Sequence, residues 1–251
     1  MDLGLRGKVS IITGGSTGIG RAIALGLAAE GAAVAFCARR EGPLRETEAV
    51  LRSTGAHVYA ACCDVADPAS LERFLNAAKS HFGQVHLLVN NASGFGMTDD
   101  DEGWSKNLDV DVLGSVRATR QVAPWIAEAG GGSILFISSI AGLEYLGSAG
   151  PYAAAKAALI SYAKTCAMDL APRNIRVNTI APGSIEFPGG NWEQARLSKA
   201  PRYEIVRQSI PFKRLGVPED VADCAVYLLS NRARWITGEC ICVDGGQHKG
   251  L

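Results

Sequence analysis

The sequence predicts an α/β protein built on one doubly wound parallel sheet of about seven strands, with helices on both faces. Short apolar runs alternate with longer helical patterns along the 251 residues, which is typical of repeated strand–helix–strand units. The apolar runs are continuous, as expected for strands buried on both faces. A glycine-rich stretch, TGGSTGIG at 13–20, connects the first run to the first helix. Such sheets bind ligands beyond the carboxyl ends of their strands.

The clearest predicted helix begins at Pro68 and ends at Gly83, because proline favours the first helical turn and glycine the position after the last. Residues 184–210 show no regular pattern. No linker or repeat interrupts the series, so we expect a single domain over residues 1–251. The predicted strands are 8–13, 32–38, 57–62, 85–90, 133–138, 175–182 and 240–246, and the predicted helices are 20–31, 43–54, 68–83, 102–129, 151–172 and 218–230.

The composition gives no sign of a charged macromolecular partner. Basic and acidic residues both number 25, so bulk electrostatics favours neither nucleic acid nor an anionic membrane. Seven cysteines and four histidines show no metal-ligand spacing, and we predict no metal. The acidic run DDDE at 99–102 suits a helix start better than a cation site. The first residues lack the apolar segment of a signal peptide, so we expect a cytoplasmic protein without a membrane span.

The glycine-rich loop predicts a dinucleotide site. Gly14, Gly18 and Gly20 allow a tight turn and let a pyrophosphate approach the N-terminus of the first helix. Its position between a first strand and a first helix makes this interpretation more specific than the glycines alone. The intervening residues expected to contribute to the same site are Ser16, Thr17 and Ile19.

The end of the second predicted strand indicates which dinucleotide binds. An acidic residue near this point commonly holds the adenosine ribose hydroxyls, but here Ala38 is followed by Arg39 and Arg40. An arginine binds a 2′-phosphate through paired hydrogen bonds, whereas a carboxylate repels it. We therefore predict NADP(H), with Arg39 as the main contact and Arg40 beside it. The alternative is an NAD-dependent alcohol dehydrogenase in which Arg39 is incidental.

A phenol and an ammonium group share one face of the helix that begins PYAAAKAALISYAK. Tyr152 and Lys156 are four positions apart, so they lie one above the other. An amphipathic helix with one aromatic residue and one solvated lysine would show the same spacing. An acid–base pair would show it too, because a nearby ammonium favours the phenolate form of a tyrosine.

Several motifs in order resemble the short-chain dehydrogenase/reductase family over almost the entire chain. They are the glycine loop, CDV at 63–65, NNAS at 90–93, the serine pair at 138–139, Tyr152-x-x-x-Lys156, APG at 181–183 and VDGG at 243–246. The resemblance implies a Rossmann-type fold. It also implies cofactor contacts from Asp64, Val65, Asn91, Ala92, Ser93, Tyr152, Lys156, Pro182, Gly183 and Ile185.

In this family, the tyrosine is general acid for reduction and general base for oxidation, which assigns Tyr152. The resemblance gives Lys156 two roles, tuning the phenol and holding the nicotinamide ribose. Ser139 lies thirteen residues before Tyr152, the family's spacing for the serine that orients the carbonyl. A serine that caps local backbone is the other interpretation of Ser139.

The resemblance also implies a mobile substrate lid at about 184–210 and a homotetramer. The aromatic and apolar residues of the lid indicate a hydrophobic carbonyl compound or secondary alcohol, or a 3-oxoacyl-like compound. The tetramer is expected to form on the long helices and the C-terminal elements.

The chain departs from the family pattern at two positions. Ser93 stands where the family usually has glycine, and Asp111, in DVDVLG, where it usually has asparagine. In relatives, the backbone carbonyl of that asparagine holds a water that links to the lysine. We expect the relay to survive, with an altered pH profile, because an ionised Asp111 would stabilise the ammonium and offset its effect on Tyr152. An aspartate that faces solvent is the other interpretation.

Two further readings of the function remain open. Some dienoyl-thioester reductases carry an aspartate at the position of Asp111, although they do not rely on the Tyr-x-x-x-Lys pair. A non-catalytic cofactor-binding sensor would commonly have lost Ser139 or Tyr152, and both are kept here.

Overall fold

The computed structural model describes residues 2–147 and 149–250, which form one seven-stranded parallel sheet with helices on both faces. The strands are β1 (Val9–Thr13), β2 (Ala33–Ala38), β3 (Val58–Cys62), β4 (Leu87–Asn90), β5 (Gly132–Ile137), β6 (Ile175–Pro182) and β7 (Cys240–Val243). Their order is β3-β2-β1-β4-β5-β6-β7. The order reverses between β1 and β4, which is where doubly wound sheets bind ligands. The predicted fold class is therefore confirmed.

The helices are α1 (Gly18–Ala29), α2 (Glu41–Ser53), α3 (Pro68–Phe82), α4 (Asp101–Lys106), α5 (Gly114–Glu128), α6 (Gly150–Leu170), α7 (Asn191–Leu197), α8 (Pro201–Ser209) and α9 (Pro218–Leu229). Local sequence explains the end points of α3. The Asp67 carboxylate accepts a hydrogen bond from the Ala69 N–H at 3.0 Å, Pro68 fills the first turn, and Gly83 continues the chain at φ +76°.

Two apolar cores cover the two faces of the sheet. Residues of α1, α2 and α9 pack on one face, and residues of α3, α5 and α6 on the other. Leu27 of α1 and Val221 of α9 are fully buried on the first face, as are Ala118 of α5 and Leu75 of α3 on the second. Burying both faces explains why the strand sequences are continuously apolar.

Two segments differ from the sequence prediction. The single helix expected at 102–129 is interrupted by a π-helical segment, Asn107–Leu113, between α4 and α5. The segment expected to be irregular, 184–210, contains α7 and α8. These helices are short and lack a continuous apolar face, so periodicity alone does not reveal them.

Residues 2–147 and 149–250 contain neither a membrane-spanning helix nor a metal-binding cluster. No helix there is long and apolar enough to cross a membrane. No group of three or more histidine, cysteine, aspartate or glutamate side chains in that part of the chain can hold a metal ion. Asp100 caps α4 by accepting from the Gly103 N–H at 2.7 Å, so the acidic run begins a helix, as the sequence favoured.

Candidate active site

The glycine loop forms an open cradle at the carboxyl end of β1. Gly14 and Gly18 have φ values of +69° and +53°, a conformation that favours glycine. A Cβ on Gly20 would lie 2.3 Å from the Gly14 carbonyl oxygen, so glycine is required there. Thr17 precedes α1 in extended conformation without a side-chain cap. The first N–H groups of α1 therefore remain available to an anion, and the cradle fits a dinucleotide pyrophosphate.

Asn91, predicted as a cofactor contact, stabilises the glycine loop through hydrogen bonds to its backbone. Its side-chain amide donates to the carbonyl oxygens of Thr13 and Gly14, at 3.0 and 2.9 Å. The Thr13 hydroxyl oxygen accepts from the backbone N–H groups of Asn91 and Ala92. This cross-link joins the ends of β1 and β4. Thr13 begins the TGGSTGIG stretch and has this supporting role, although it was not among the predicted site residues.

The side chains predicted to meet the adenosine end lie beyond β2 and β3. Arg39 and Arg40 are both exposed, which leaves their guanidinium groups accessible to a phosphate. The Asp64 carboxylate accepts from the Ala66 N–H at 3.0 Å and orders the turn after β3. Val65 is buried in the core, so only its backbone is placed to meet a ligand.

The segment after β6 borders the other end of the site. Pro182 ends β6, and Gly183 lies so close to β7 that a Cβ would be 2.7 Å from the Asp244 side chain. Ile185 is 8% exposed and packs in the core, where it forms an isolated bridge with Gly216. The side chain of Ile185 therefore packs in the core and does not face the open site.

Ser139 lies two residues after the end of β5 and is 9% exposed. Its hydroxyl oxygen accepts from the Ala141 N–H at 3.1 Å, so the local capping role and the predicted role coexist. The hydroxyl hydrogen remains free to be donated to a carbonyl oxygen. The loop lies directly on α6, since a Cβ on Gly142 would be 2.7 Å from the Lys156 carbonyl carbon. This close approach brings Ser139 to the helix that carries Tyr152.

Lys156 is buried, with a side chain only 2% exposed. Its ammonium donates to the Ile137 carbonyl oxygen at 3.1 Å and lies 2.9 Å from the Asp111 carboxylate. It also lies 5.5 Å from the centre of the Tyr152 ring. Burial disfavours the ammonium, but Asp111 and Tyr152 offset this and raise the pKa of Lys156 above its usual value. The interpretation of Lys156 as a solvated surface residue is therefore wrong.

Asp111 is fully buried on the π-helical segment and contacts three donors. One carboxylate oxygen accepts from the Ser93 hydroxyl at 2.7 Å and faces the Lys156 ammonium. The other accepts from the Gly94 N–H at 2.6 Å. The interpretation of Asp111 as a solvent-facing residue is wrong. The two departures from the family pattern, Ser93 and Asp111, are in direct contact, and the hydroxyl of Ser93 is directed to Asp111.

Tyr152 is half-buried near the start of α6. The ring of Phe95, which the sequence did not single out, stacks on it with centroids 5.7 Å apart and planes 14° apart. This stack packs against the face of the Tyr152 ring and restricts its orientation. The phenolic oxygen lies at the ring's edge, so this contact leaves it available for proton transfer.

The segment predicted to form the lid, 184–210, contacts the glycine loop and is held by hydrogen bonds within itself. Phe187 places its ring about 3 Å from the position of a Cβ on Gly18, so the lid begins against the glycine loop. Within the lid, the Glu186 carboxylate accepts from Arg196 at 2.5 Å and from the Tyr203 hydroxyl at 2.7 Å. Burial disfavours the charge on Glu186, but these two hydrogen bonds lower its pKa. Phe187 is a further site residue that the sequence named only as part of the lid.

Comparison with known proteins gives several full-length similarities. A family model described as Enoyl-(Acyl carrier protein) reductase matches residues 14–248. Dehydrogenase/reductase SDR family member 4 of Sus scrofa is 38% identical over 247 residues, covering 96% of this chain and 88% of the relative.

Two solved structures are also similar across the whole fold. L-sorbose reductase from Gluconobacter frateurii, complexed with NADPH and L-sorbose, has a TM-score of 0.94 at 36% identity, and each chain is covered completely. A 7α-hydroxysteroid dehydrogenase complexed with NADH and 7-oxo glycochenodeoxycholic acid has a TM-score of 0.91 at 33% identity, covering 100% of this chain and 98% of that one. The similar structures therefore include complexes with both nicotinamide cofactors.

Proposed function

Because the chain belongs to the short-chain dehydrogenase/reductase family, we propose that it uses NADP(H) to reduce the carbonyl group of a small hydrophobic ketone. Membership of this family makes the chain an NAD(P)-dependent oxidoreductase of CH–OH and C=O groups with a small-molecule substrate. The observation that carries the proposal is the Tyr152–Lys156 pair, in which the Lys156 ammonium is buried between Asp111 and the Tyr152 ring. The buried ammonium is too enclosed to be an ordinary surface charge.

The chain's own residues divide the proton chemistry between them. When bound, the nicotinamide cofactor supplies the hydride in reduction and accepts it in oxidation. Tyr152 gives its phenolic proton to the carbonyl oxygen during reduction and takes the proton back during oxidation. Ser139 donates its free hydroxyl hydrogen to the same oxygen and orients the carbonyl. Lys156 stabilises the phenolate that Tyr152 becomes when the proton leaves.

Asp111 is a positioning residue in this mechanism, because it acts through Lys156. Its carboxylate holds the ammonium at 2.9 Å and keeps it charged despite burial. The same negative charge beside the ammonium offsets the ammonium's stabilisation of the phenolate. The expected result is a working site whose pH profile depends on residue 111.

NADP(H) is proposed over NAD(H) because of Arg39 and Arg40, two exposed guanidinium groups where an acidic residue would favour NAD. The NADPH complex of the sorbose reductase supports this preference, and the NADH complex of the steroid dehydrogenase favours the alternative. The remaining residues proposed to hold the cofactor lie in the glycine loop, at or after the ends of β3, β4 and β6, and on α6. They are Gly14, Ser16, Thr17, Gly18, Ile19, Gly20, Asp64, Val65, Asn91, Ala92, Ser93, Lys156, Pro182, Gly183 and Ile185.

A hydrophobic ketone is proposed because exposed apolar side chains lie beside Tyr152 and in the segment 184–210. Phe95, which stacks on Tyr152, is 53% exposed, and Leu197 of α7 is 67% exposed. A 3-oxoacyl thioester is the second substrate class. It is favoured by the family model's description, which names an acyl carrier protein. The thioester class predicts turnover of a 3-oxoacyl thioester well above that of a simple ketone.

NADPH consumption across ketones, 3-oxoacyl thioesters and steroids tests the proposed function. The Tyr152→Phe variant is expected to lose about 100- to 10,000-fold in kcat/KM, since it lacks the general acid. Tyr162→Phe is the matched control, because Tyr162 lies on the same helix but packs edge-on against Phe136. Equal turnover by the wild type and Tyr152→Phe would refute the assignment. Tight NADPH binding without any turnover would favour a sensor.

A cytoplasmic homotetramer is proposed as the assembled form, on the resemblance to the family. The exposed Trp235, Tyr227 and Leu113, which are 96%, 43% and 39% exposed, lie on or near the elements expected to form the contacts. A native mass of one chain, measured by light scattering at micromolar concentration, would refute the tetramer.

A further inference from the structure

Phe95 is unusual in two respects. Its side chain is 53% exposed, and its backbone adopts φ +50° in the left-handed region, which bulky residues rarely occupy. An exposed aromatic ring and a strained backbone both cost free energy. Such features persist where the surrounding structure enforces them, and they concentrate at ligand sites. Phe95 therefore calls for an explanation beyond packing.

Two buried side chains from the π-helical segment hold the loop that carries Phe95. The Asp111 carboxylate accepts from the Gly94 N–H at 2.6 Å. Asn107 accepts from the Gly96 N–H at 3.0 Å and donates to the Gly96 carbonyl oxygen at 2.6 Å. Both Asn107 and Asp111 are fully buried. The backbone is thus fixed on each side of Phe95.

The two flanking glycines let this loop lie directly on the backbone of α4. A Cβ on Gly94 would be 2.4 Å from the Lys106 carbonyl oxygen, and a Cβ on Gly96 would be 2.3 Å from the Gly103 carbonyl oxygen. Neither position accepts a side chain without a shift of backbone. Within residues 94–96, Phe95 is the only side chain, and it is presented by a rigid support.

The support presents Phe95 to the reacting group. Its ring stacks on Tyr152 at 5.7 Å, and more than half of its surface remains open beside the phenol. We expect a substrate whose carbonyl oxygen reaches the Tyr152 hydroxyl to place a substituent near this open surface. Flat aromatic groups gain about two- to twelvefold in affinity from stacking, beyond the effect of buried area.

We propose that Phe95 is a specificity-determining residue that selects carbonyl compounds with a flat apolar group, such as an aromatic ring, next to the reacting carbon. This inference rests on the proposed reductase function and specifies the shape of the group that its substrate carries. The exposed surface of Phe95 becomes the wall against which that group packs.

Two ketones of the same skeleton test the inference. Acetophenone carries a flat ring, and cyclohexyl methyl ketone carries the saturated, puckered equivalent. We expect the wild type to prefer acetophenone in kcat/KM, and Phe95→Leu to reduce that preference about two- to twelvefold. Phe95→Tyr should restore the preference, because it keeps the aromatic face. Phe95→Gly is a second variant that adopts φ +50° without strain, and it should lose the preference as well.

A binding measurement separates this inference from the proposed function. The NADPH complex of Tyr152→Phe, which lacks the general acid, is titrated calorimetrically with each ketone, with and without Phe95→Leu. Weaker acetophenone binding in the double variant, with a smaller change for the cyclohexyl ketone, would support the role of Phe95 whether or not turnover is found. Equal changes for both ketones, in binding or in kcat/KM, would overturn it. If the wild type turns over none of the ketones, 3-oxoacyl thioesters and steroids, the proposed reductase function is refuted, but the binding role of Phe95 is not.

Discussion

Replacing Asp111 with asparagine is expected to destabilise the protein and to alter the pH dependence of its turnover. The substitution removes a buried negative charge 2.9 Å from the Lys156 ammonium. It also replaces one acceptor oxygen by an NH2 group. That group must face either the Gly94 N–H or the Ser93 hydroxyl and Lys156. An amide cannot accept from all three donors.

The expected loss is about 3–5 kcal/mol in the free energy of unfolding near neutral pH, the usual cost of removing one partner from a buried ion pair. Because Asp111 is fully buried and Lys156 is 2% exposed, solvent does little to screen the pair. An unsatisfied buried donor alone accounts for about 1–3 kcal/mol. A loss below about 1 kcal/mol would indicate that the pair is solvated in solution.

The sign of the pH dependence follows from Lys156. In the wild type its pKa is raised, so its stabilising contribution is present below the unfolded value of about 10.4 and is lost as pH rises through the folded value. Without Asp111, burial is opposed only by Tyr152, and the pKa of Lys156 is expected to fall. The variant then recovers stability as the amine loses its charge. The difference between wild type and variant should shrink as pH rises.

Urea unfolding between about pH 7 and about pH 10, followed by circular dichroism, measures this difference. Asp109→Asn is the matched control, since Asp109 lies on the same segment and contacts only Ser105 among the side chains described. The pH–rate profile for alcohol oxidation by Asp111→Asn should differ from that of the wild type, because the charge at residue 111 and the charge state of Lys156 both change. A penalty that is constant with pH, or an unchanged pH–rate profile, would refute the reasoning.

Two further predictions concern the cofactor and the lid. Arg39→Asp should lower the ratio of catalytic efficiency with NADPH to that with NADH by about tenfold to a hundredfold, since charged hydrogen bonds are lost and a carboxylate repels the 2′-phosphate; Arg73→Asp, an exposed arginine of α3, is the control. A wild-type preference for NAD above tenfold would end this claim. Glu186→Gln should speed hydrogen exchange in α7 and α8 at neutral pH, because Arg196 and Tyr203 lose their charged acceptor. Since the pKa of Glu186 is lowered, its contribution is present above about pH 4.3 and is lost as pH falls through the folded value. Glu204→Gln, on the exposed face of α8, is the control, and equal exchange in both variants would count against a lid held by Glu186.

Most of the fold follows from the sequence, because continuous apolar runs identify strands buried on both faces. β6 occupies the predicted residues, 175–182, and the other strands shift by one to three residues at their ends. The π-helical segment did not follow from the sequence. Residues 102–129 carry a helical pattern throughout, and the interruption is stabilised by tertiary contacts of Asn107 and Asp111 with a distant loop. Local periodicity contains no information about such contacts.

The candidate site was predictable where a short motif fixes the chemistry. Ser139 follows β5, and Tyr152 and Lys156 lie in the first turns of α6, so the motif spacing brings the three residues to the same edge of the sheet. Asp111 was predictable as a departure, but its burial was not. Phe95 and Phe187 carry no motif, and both acquire their positions only when loops fold against glycines. In the sequence, each is an aromatic residue close to glycines. That pattern is too common to identify either of them as a site residue.

The buried Asp111 carboxylate links two properties of the site that the sequence treats separately. One oxygen fixes the ammonium of Lys156 and accepts from Ser93, and the other fixes the backbone that presents Phe95. A change at residue 111 is therefore expected to alter both the proposed proton transfer and the position of the loop that carries Phe95. The hydroxyl of Ser93 adds a donor that a glycine would lack. The contact between the two residues accounts for both departures as parts of one hydrogen-bonded group rather than as independent substitutions.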